Sequence, residues 1–336
     1  MRRKFGTLFL AGILGTVLVL GNGMKPVTTE AASNSNQVIV VLDPGHDSKH
    51  VGAAGNGFHE EVLVLKIGLY AKEALENNYD NVKVVMTRED GNCPFPNPSS
   101  SRESVEDNAK RTQFAASQNA DFFVSLHLNS GGASNNGAII LAMNENWIPE
   151  YNTYGKKMGN LFLKELGNLG LRNGGFIVRD HNDPDHPDEN YYEDGSVSDY
   201  YGILRNAKLN HVPAIIVEHG FITSTTDIEF FNTDAKLKAV GEADARAIAQ
   251  YFELGAKGSN KTPVKPTDST KTTQASSNSG NDGNTSGGSD SENAGPAVSI
   301  TGNAMSEDAR KSAPDAAMVD DGFLHWQQVM KEFFKS

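Results

Sequence analysis

Three stretches of the chain run into residues that can hold a metal or move a proton. Val38–Leu42 leads into Asp43-Pro44-Gly45-His46, Phe122–Leu126 into His127-Leu128-Asn129, and Ala214–Val217 into Glu218-His219-Gly220-Phe221. Each leading run is largely apolar with β-branched or aromatic residues, the pattern of a strand buried on both faces. In open α/β sheets the loops beyond the carboxyl ends of the strands gather residues of distant sequence into one crevice. His46, His127 and Glu218 are therefore expected to share a site. A lone His after a strand is more often a hydrogen-bonded structural residue; three polar strand ends, two of them His, reverse that balance. A hydrolytic zinc site takes three protein ligands, mostly His with one carboxylate, and keeps a position open for water. The carboxylate is sought in His59-Glu60-Glu61, at the mouth of the first helix after the Gly-rich loop Gly52–Gly57. Glu61 suits a helix N-terminus, where an acid complements the dipole. Glu60, one step outside, is better placed to turn toward the loop carrying His46. Position 63 is Leu, so His59-Glu60 does not open an H-E-x-x-H metalloprotease helix.

The elements that must position these residues follow from periodicity over 37–254. Strands are expected at Val38–Leu42, Val82–Met86, Phe122–Leu126, Ala138–Ala142 and Ala214–Val217, and helices at Glu61–Leu75, Glu103–Ser117, Tyr151–Leu166 and Ala235–Phe252. Strands alternating with helices predict an α/β fold, a mainly parallel sheet flanked by helices, in a single catalytic domain.

Outside that span the composition changes. Arg2, Arg3 and Lys4 precede the apolar run Phe5–Leu20, and small residues follow to Ala31: the layout of a secretory signal peptide over 1–31, cleaved after Ala31. Residues 32–255 are then the catalytic domain. Residues 256–295, nearly all Ser, Gly, Asn, Thr, Asp and Lys, have too little apolar surface to pack and read as a flexible linker. In the tail 296–336, Phe323, Trp326, Met330, Phe333 and Phe334 fall at helical spacing, giving a short amphipathic helix that docks on its own domain, a partner protein or a membrane surface. A hydrophobic content of 38% is low for a fully globular chain of 336 residues and agrees with unstructured segments. The net charge is −12, and loss of residues 1–31, with four basic residues and one acidic, takes it to −15. That argues against nucleic acid as a partner, because phosphate neutralisation needs an excess of Lys and Arg. Cys93 is the sole cysteine, so no intrachain disulfide forms, and its Pro-rich surroundings read as a surface loop.

Taken together, Asp43-Pro44-Gly45-His46 with Gly52-Ala53, Glu60 leading into Leu63 and Leu65, Arg111, Ser125-Leu126-His127-Leu128-Asn129 and Val217-Glu218-His219-Gly220-Phe221 resemble the zinc-dependent N-acetylmuramoyl-L-alanine amidases of type 3. The resemblance covers about residues 37–254, in the family's order. It implies one Zn2+ per chain on His46, Glu60 and His127, with Glu218 as the catalytic acid-base group. It also implies bacterial peptidoglycan as substrate, cut at the amide between the muramic acid lactyl group and L-alanine, and action at the cell wall. Two positions depart from the family: Glu61 stands where Lys is usual, and Ser224 where Asn often follows Gly-Phe-x-x. Asp43 and Arg111 are expected to orient ligands without touching metal.

Other readings stay open at this point. A zinc carboxypeptidase or endopeptidase acting on the stem peptide would need a cation for a terminal carboxylate, and Arg179 or Arg205 would serve. A non-catalytic wall-binding protein on the same scaffold would be expected to lack one of the four site residues. The acidic stretch Asp180–Glu189, with His181 and His186, is a candidate for a second cation such as calcium, although such loops are more often merely solvated. Residues 88–110 and 179–200 exceed what a minimal domain needs and are expected to shape the substrate groove.

Overall fold

The computed structural model describes residues 36–266 except Ala133 and Asp185. The expected signal peptide, most of the expected linker and the amphipathic tail lie outside the described residues.

Val38–Pro44 (β1), Val82–Met86 (β4), Phe122–Asn129 (β5) and Ala214–Phe221 (β8) pair in parallel in the order β4-β1-β5-β8. Ala138–Ala142 (β6) joins β8 antiparallel, and Asn173–Ile177 (β7) pairs parallel with β6 to complete a six-stranded sheet. Ala54–Gly55 (β2) and Phe58–His59 (β3) form a separate miniature hairpin. Its turn residues, Asn56 and Gly57, have φ of 51° and 83°, the pair of positive values that an Asn-Gly type I′ turn requires.

Strand alternation sorts side chains onto two cores. Val38, Val40 and Leu42, then Phe122, Val124 and Leu126, then Ile215 and Val217, face one core. Against them pack Glu60–Asn78 (α1), Pro149–Leu169 (α3) and Asp234–Tyr251 (α5). Val41, Phe123, Ala214 and Ile216 face the other core, beside Glu103–Ser117 (α2) and Gly202–Leu209 (α4). The architecture is the expected α/β one, with a mostly parallel sheet between helices.

Two differences from the expected elements matter for the site. Strands β5 and β8 run three or four residues further than their apolar runs, so His127 and Glu218 are strand residues in register with each other. The polar residues survive there because they lie toward the carboxyl ends of two central strands, beyond the fully buried runs. The chain also keeps packing beyond Gly255. Gly255 and Phe252 accept backbone hydrogen bonds from Asp80 and Val264, and Lys257 donates to Asn78. The Lys265 ammonium lies 2.9 Å from Asp121. Backbone pairing does not need apolar side chains, and so was invisible in the composition.

Candidate metal centre and active site

By parity along the strands, Asp43, Ser125, His127 and Glu218 all project from the sheet face covered by α2 and α4. His46 follows β1 with φ of 61°, a left-handed conformation that swings its side chain back over the strand ends. Glu60 opens α1, delivered by the β2–β3 hairpin. Its Oε2 accepts from the Ala53 amide at 2.7 Å, and its own amide donates to the Ala53 carbonyl.

These placements bring His46, Glu60 and His127 into one cluster whose ligand atoms lie within 4.8 Å of one another. Glu60 Oε1 is 3.0 Å from His127 Nδ1 and 3.4 Å from His46 Nε2, and it also accepts from the Leu128 amide at 3.0 Å. Burial alone would raise the Glu60 carboxyl, but the two imidazoles hold it far below the usual carboxylate range. Space for the cluster depends on two glycines. A Cβ at Gly45 would lie 2.2 Å from the His127 ring, and one at Gly52 would lie 2.3 Å from Glu60 Oε2 and 2.6 Å from His46 Cδ2.

A buried chain of hydrogen bonds decides which nitrogen of His127 faces the cluster. Asp43 accepts from Thr87 Oγ1 at 2.6 Å and from Ser125 Oγ at 2.7 Å. The one hydroxyl proton of Ser125 is thereby committed, so at 3.2 Å its oxygen accepts from His127 Nε2–H. In the neutral ring the Nδ1 lone pair then points at Glu60 Oε1. Two electron-pair donors facing each other at 3.0 Å, with a third nitrogen at 3.4 Å, need a cation between them: a proton in its absence, a divalent metal otherwise. One N/N/O set with an open side is the donor chemistry of a hydrolytic zinc ion.

Asp43 is held in turn by Arg111, which is almost fully buried. The guanidinium pairs with Asp43 at 2.9 Å and Asp107 at 2.6 Å and donates to the carbonyls of Pro44 and His46. It fixes the backbone of the Asp-Pro-Gly-His turn without entering the cluster.

Glu218 stands opposite His127 on the neighbouring strand. Its Oε2 is shut off from solvent and has no hydrogen-bond partner among the described residues. Burial, then the negative charge of Glu60, pushes its carboxyl up to about 8, with His46 pulling the other way. A carboxyl poised near neutrality beside a cluster of ligand atoms is suited to exchanging protons with a substrate. Glu61, by contrast, stays out of the cluster: it is buried, with Oε1 3.9 Å from His59, and burial raises its carboxyl.

Of the other sequence candidates, Arg205 is engaged by Glu189 and by the Asp199 carbonyl. Arg179 lies over the Tyr200 ring, 3.7 Å from its centroid. In the acidic stretch, Asp180 accepts from Asn144 at 2.9 Å, Asp183 holds His186 at 2.9 Å, and Glu189 pairs with Arg102. A second group with metal-ligand spacing among the described residues is Asp47, His50 and Cys93. There Asp47 is occupied by the amides of Lys49 and His50 and by the His50 ring, and burial pushes the Cys93 thiol up to about 12. Sequence reasoning quoted Gly45, Gly52 and Ser125 only as parts of motifs, without a role of their own, and passed over Thr87. Ser125 was detectable, because it lies two residues before His127 and so shares its face.

The profile of the N-acetylmuramoyl-L-alanine amidase family (Amidase_3) matches residues 40–250, and the chain belongs to that family. It is a hydrolase of peptidoglycan, an N-acetylmuramoyl-L-alanine amidase. It is 26% identical over 222 residues to the N-acetylmuramoyl-L-alanine amidase CwlM of Bacillus licheniformis, covering 65% of this chain and 70% of that protein. It is 25% identical over 227 residues to the sporulation-specific N-acetylmuramoyl-L-alanine amidase of Bacillus subtilis, covering 66% and 71%. The fold is similar to that of Cwp6 from Clostridium difficile, with a TM-score of 0.51 and 26% identity. That likeness covers 64% of this chain and 29% of Cwp6.

Proposed function

We propose that the amidase is secreted to the cell wall and is zinc-dependent, with His46, Glu60 and His127 holding one zinc ion and Glu218 acting as general base. The observation that carries this reading is the convergence of three ligand atoms, with the Asp43–Ser125 chain turning the Nδ1 of His127 toward the other two. Zinc there would supply a Lewis acid that polarises the scissile carbonyl and acidifies a water molecule. Glu218 takes a proton from the attacking water and passes it to the departing L-alanine nitrogen. Its raised carboxyl suits both halves of that transfer, and a nearby cation would favour the carboxylate needed first. Arg111, through Asp43 and the turn carbonyls, keeps the His46 and His127 arms in place.

Residues 1–31 are proposed to be a cleaved signal peptide, residues 32–255 the catalytic domain with 256–265 packed against it, the remainder of 256–295 a linker and 296–336 a tail that contacts a protein or membrane. The test is metal analysis of the purified full chain, with Glu218→Gln alongside. About one zinc per chain is expected in both. Turnover of the variant should fall by about 10²–10⁴. A metal-free chain that still releases L-alanine amines from isolated walls would overturn the assignment.

A further inference from the structure

Glu218 is followed by His219, whose side chain alternation sends to the opposite face, toward α5. There it meets Asp244: His219 Nε2 lies 2.9 Å from Asp244 Oδ2, and neither side chain is exposed at all. The other ring nitrogen, Nδ1, is 3.0 Å from the carbonyl oxygen of His127. A carbonyl only accepts, so Nδ1 carries a hydrogen and donates it. Hence the pair spans from α5, through β8, to the backbone of β5 at the ligand cluster.

The point of contact is where the sheet itself is least able to hold that backbone. Pairing between β5 and β8 shifts register between His127 and Asn129, because two steps on β5 meet three on β8. The peptide unit joining His127 to Leu128 sits in this irregularity. Its carbonyl is held by His219, and its amide donates to Glu60 Oε1. One peptide thus carries the His127 side chain, orients the Glu60 carboxylate, and is anchored from behind by an imidazole.

We propose that His219 and Asp244 are positioning residues, a fully buried pair that fixes the 127–128 peptide and thereby sets the spacing of His127 and Glu60 for the metal. This rests on the ligand assignment above. Nothing in the pair touches substrate or metal. Its effect is to pre-set the ligand geometry, as outer partners of metal ligands do.

The experiment compares the full chain with two double variants, measuring zinc affinity by competition with a chelating dye, thermal stability, and kcat and KM. His219→Leu with Asp244→Leu removes both polar groups, at the cost of added volume at 244 and of a His127 carbonyl left without its donor. The expected result is a folded chain with a lowered Tm, zinc affinity weaker by about 10–100-fold, and a lower kcat at similar KM. His219→Asn with Asp244→Asn returns an N–H close to the lost Nδ1–H. Its zinc affinity should recover to within about threefold of the parent. Parent-like zinc affinity in the Leu pair overturns the proposal, and so does an Asn pair as weak as the Leu pair. If the Leu pair does not fold, the Asn pair decides alone, and an affinity loss above about tenfold overturns the proposal. A parent chain that binds no zinc would instead refute the ligand assignment itself.

Discussion

Arg111→Met tests whether the buried guanidinium, and not the loop sequence alone, holds the turn that presents His46. Arg111 compensates three buried carboxylates, Asp43 at 2.9 Å, Asp107 at 2.6 Å and Asp47 at 3.6 Å. Met keeps most of the volume and removes all the charge. Breaking a buried pair from one side costs about 3–5 kcal/mol, because the remaining charge is left without compensation. The figure is applied once, since the three acids share one partner and their losses do not add. Against the roughly 5–15 kcal/mol that holds a domain together, the variant should fold but be markedly weakened. The pH dependence separates this cause from a packing defect. In the parent, burial raises the Asp43 carboxyl, but Arg111, Thr87 and Ser125 outweigh it and hold it below its ordinary value. That stabilisation is present above the ordinary carboxylate range and is lost as pH falls through the folded-state value. In the variant burial loses its largest opponent, so the Asp43 carboxyl shifts upward and takes up a proton at higher pH than in the parent. The stability gap between parent and variant must therefore narrow as pH falls from about 7 to 5. Urea unfolding at both pH values measures it. A gap below about 1 kcal/mol at neutral pH, or one constant with pH, would refute the reasoning.

Glu60→Gln should weaken zinc binding by more than the roughly 10–100-fold typical of outer partners, whereas Glu61→Gln should leave it unchanged; isothermal titration distinguishes them, and the reverse order would make Glu61 the ligand. In the metal-free chain Glu218, pushed up to about 8, keeps a proton that the unfolded chain has lost, so stability should fall as pH rises from about 5 to 8, by at most about 1.4 kcal/mol per unit. Glu218→Gln should flatten that slope, which thermal melts in chelator can follow. Limited proteolysis should cut first beyond Lys265 and spare 256–265, which are tied to Asn78, Asp80, Asn81 and Asp121; mass spectrometry of the stable core locates the cut, and a core ending at 255 would contradict the packing seen.

What the sequence revealed, and what it hid, follows from where each residue's information resides. His46, His127 and Glu218 were legible because each interrupts or follows a run of buried strand residues, and a polar residue there has few structural uses. The α/β layering was legible for the same reason: apolar period and turn chemistry are local. Glu60 was a harder choice, since both acids sit in the first turn of α1 and dipole arguments treat them alike. Only the β2–β3 hairpin, with its Asn-Gly turn and the Ala53 pairing, aims one of them at the histidines. Strand β7 and helix α4 escaped notice because their segments are short and interrupted by Gly or polar residues. The His219–Asp244 pair was out of reach altogether. Its two members are 25 positions apart, and its role depends on a register shift between β5 and β8 that no local pattern encodes. The chemistry at the strand ends could be read one residue at a time, but the scaffolding behind it exists only in pairs, and pairs appear only once the chain is folded.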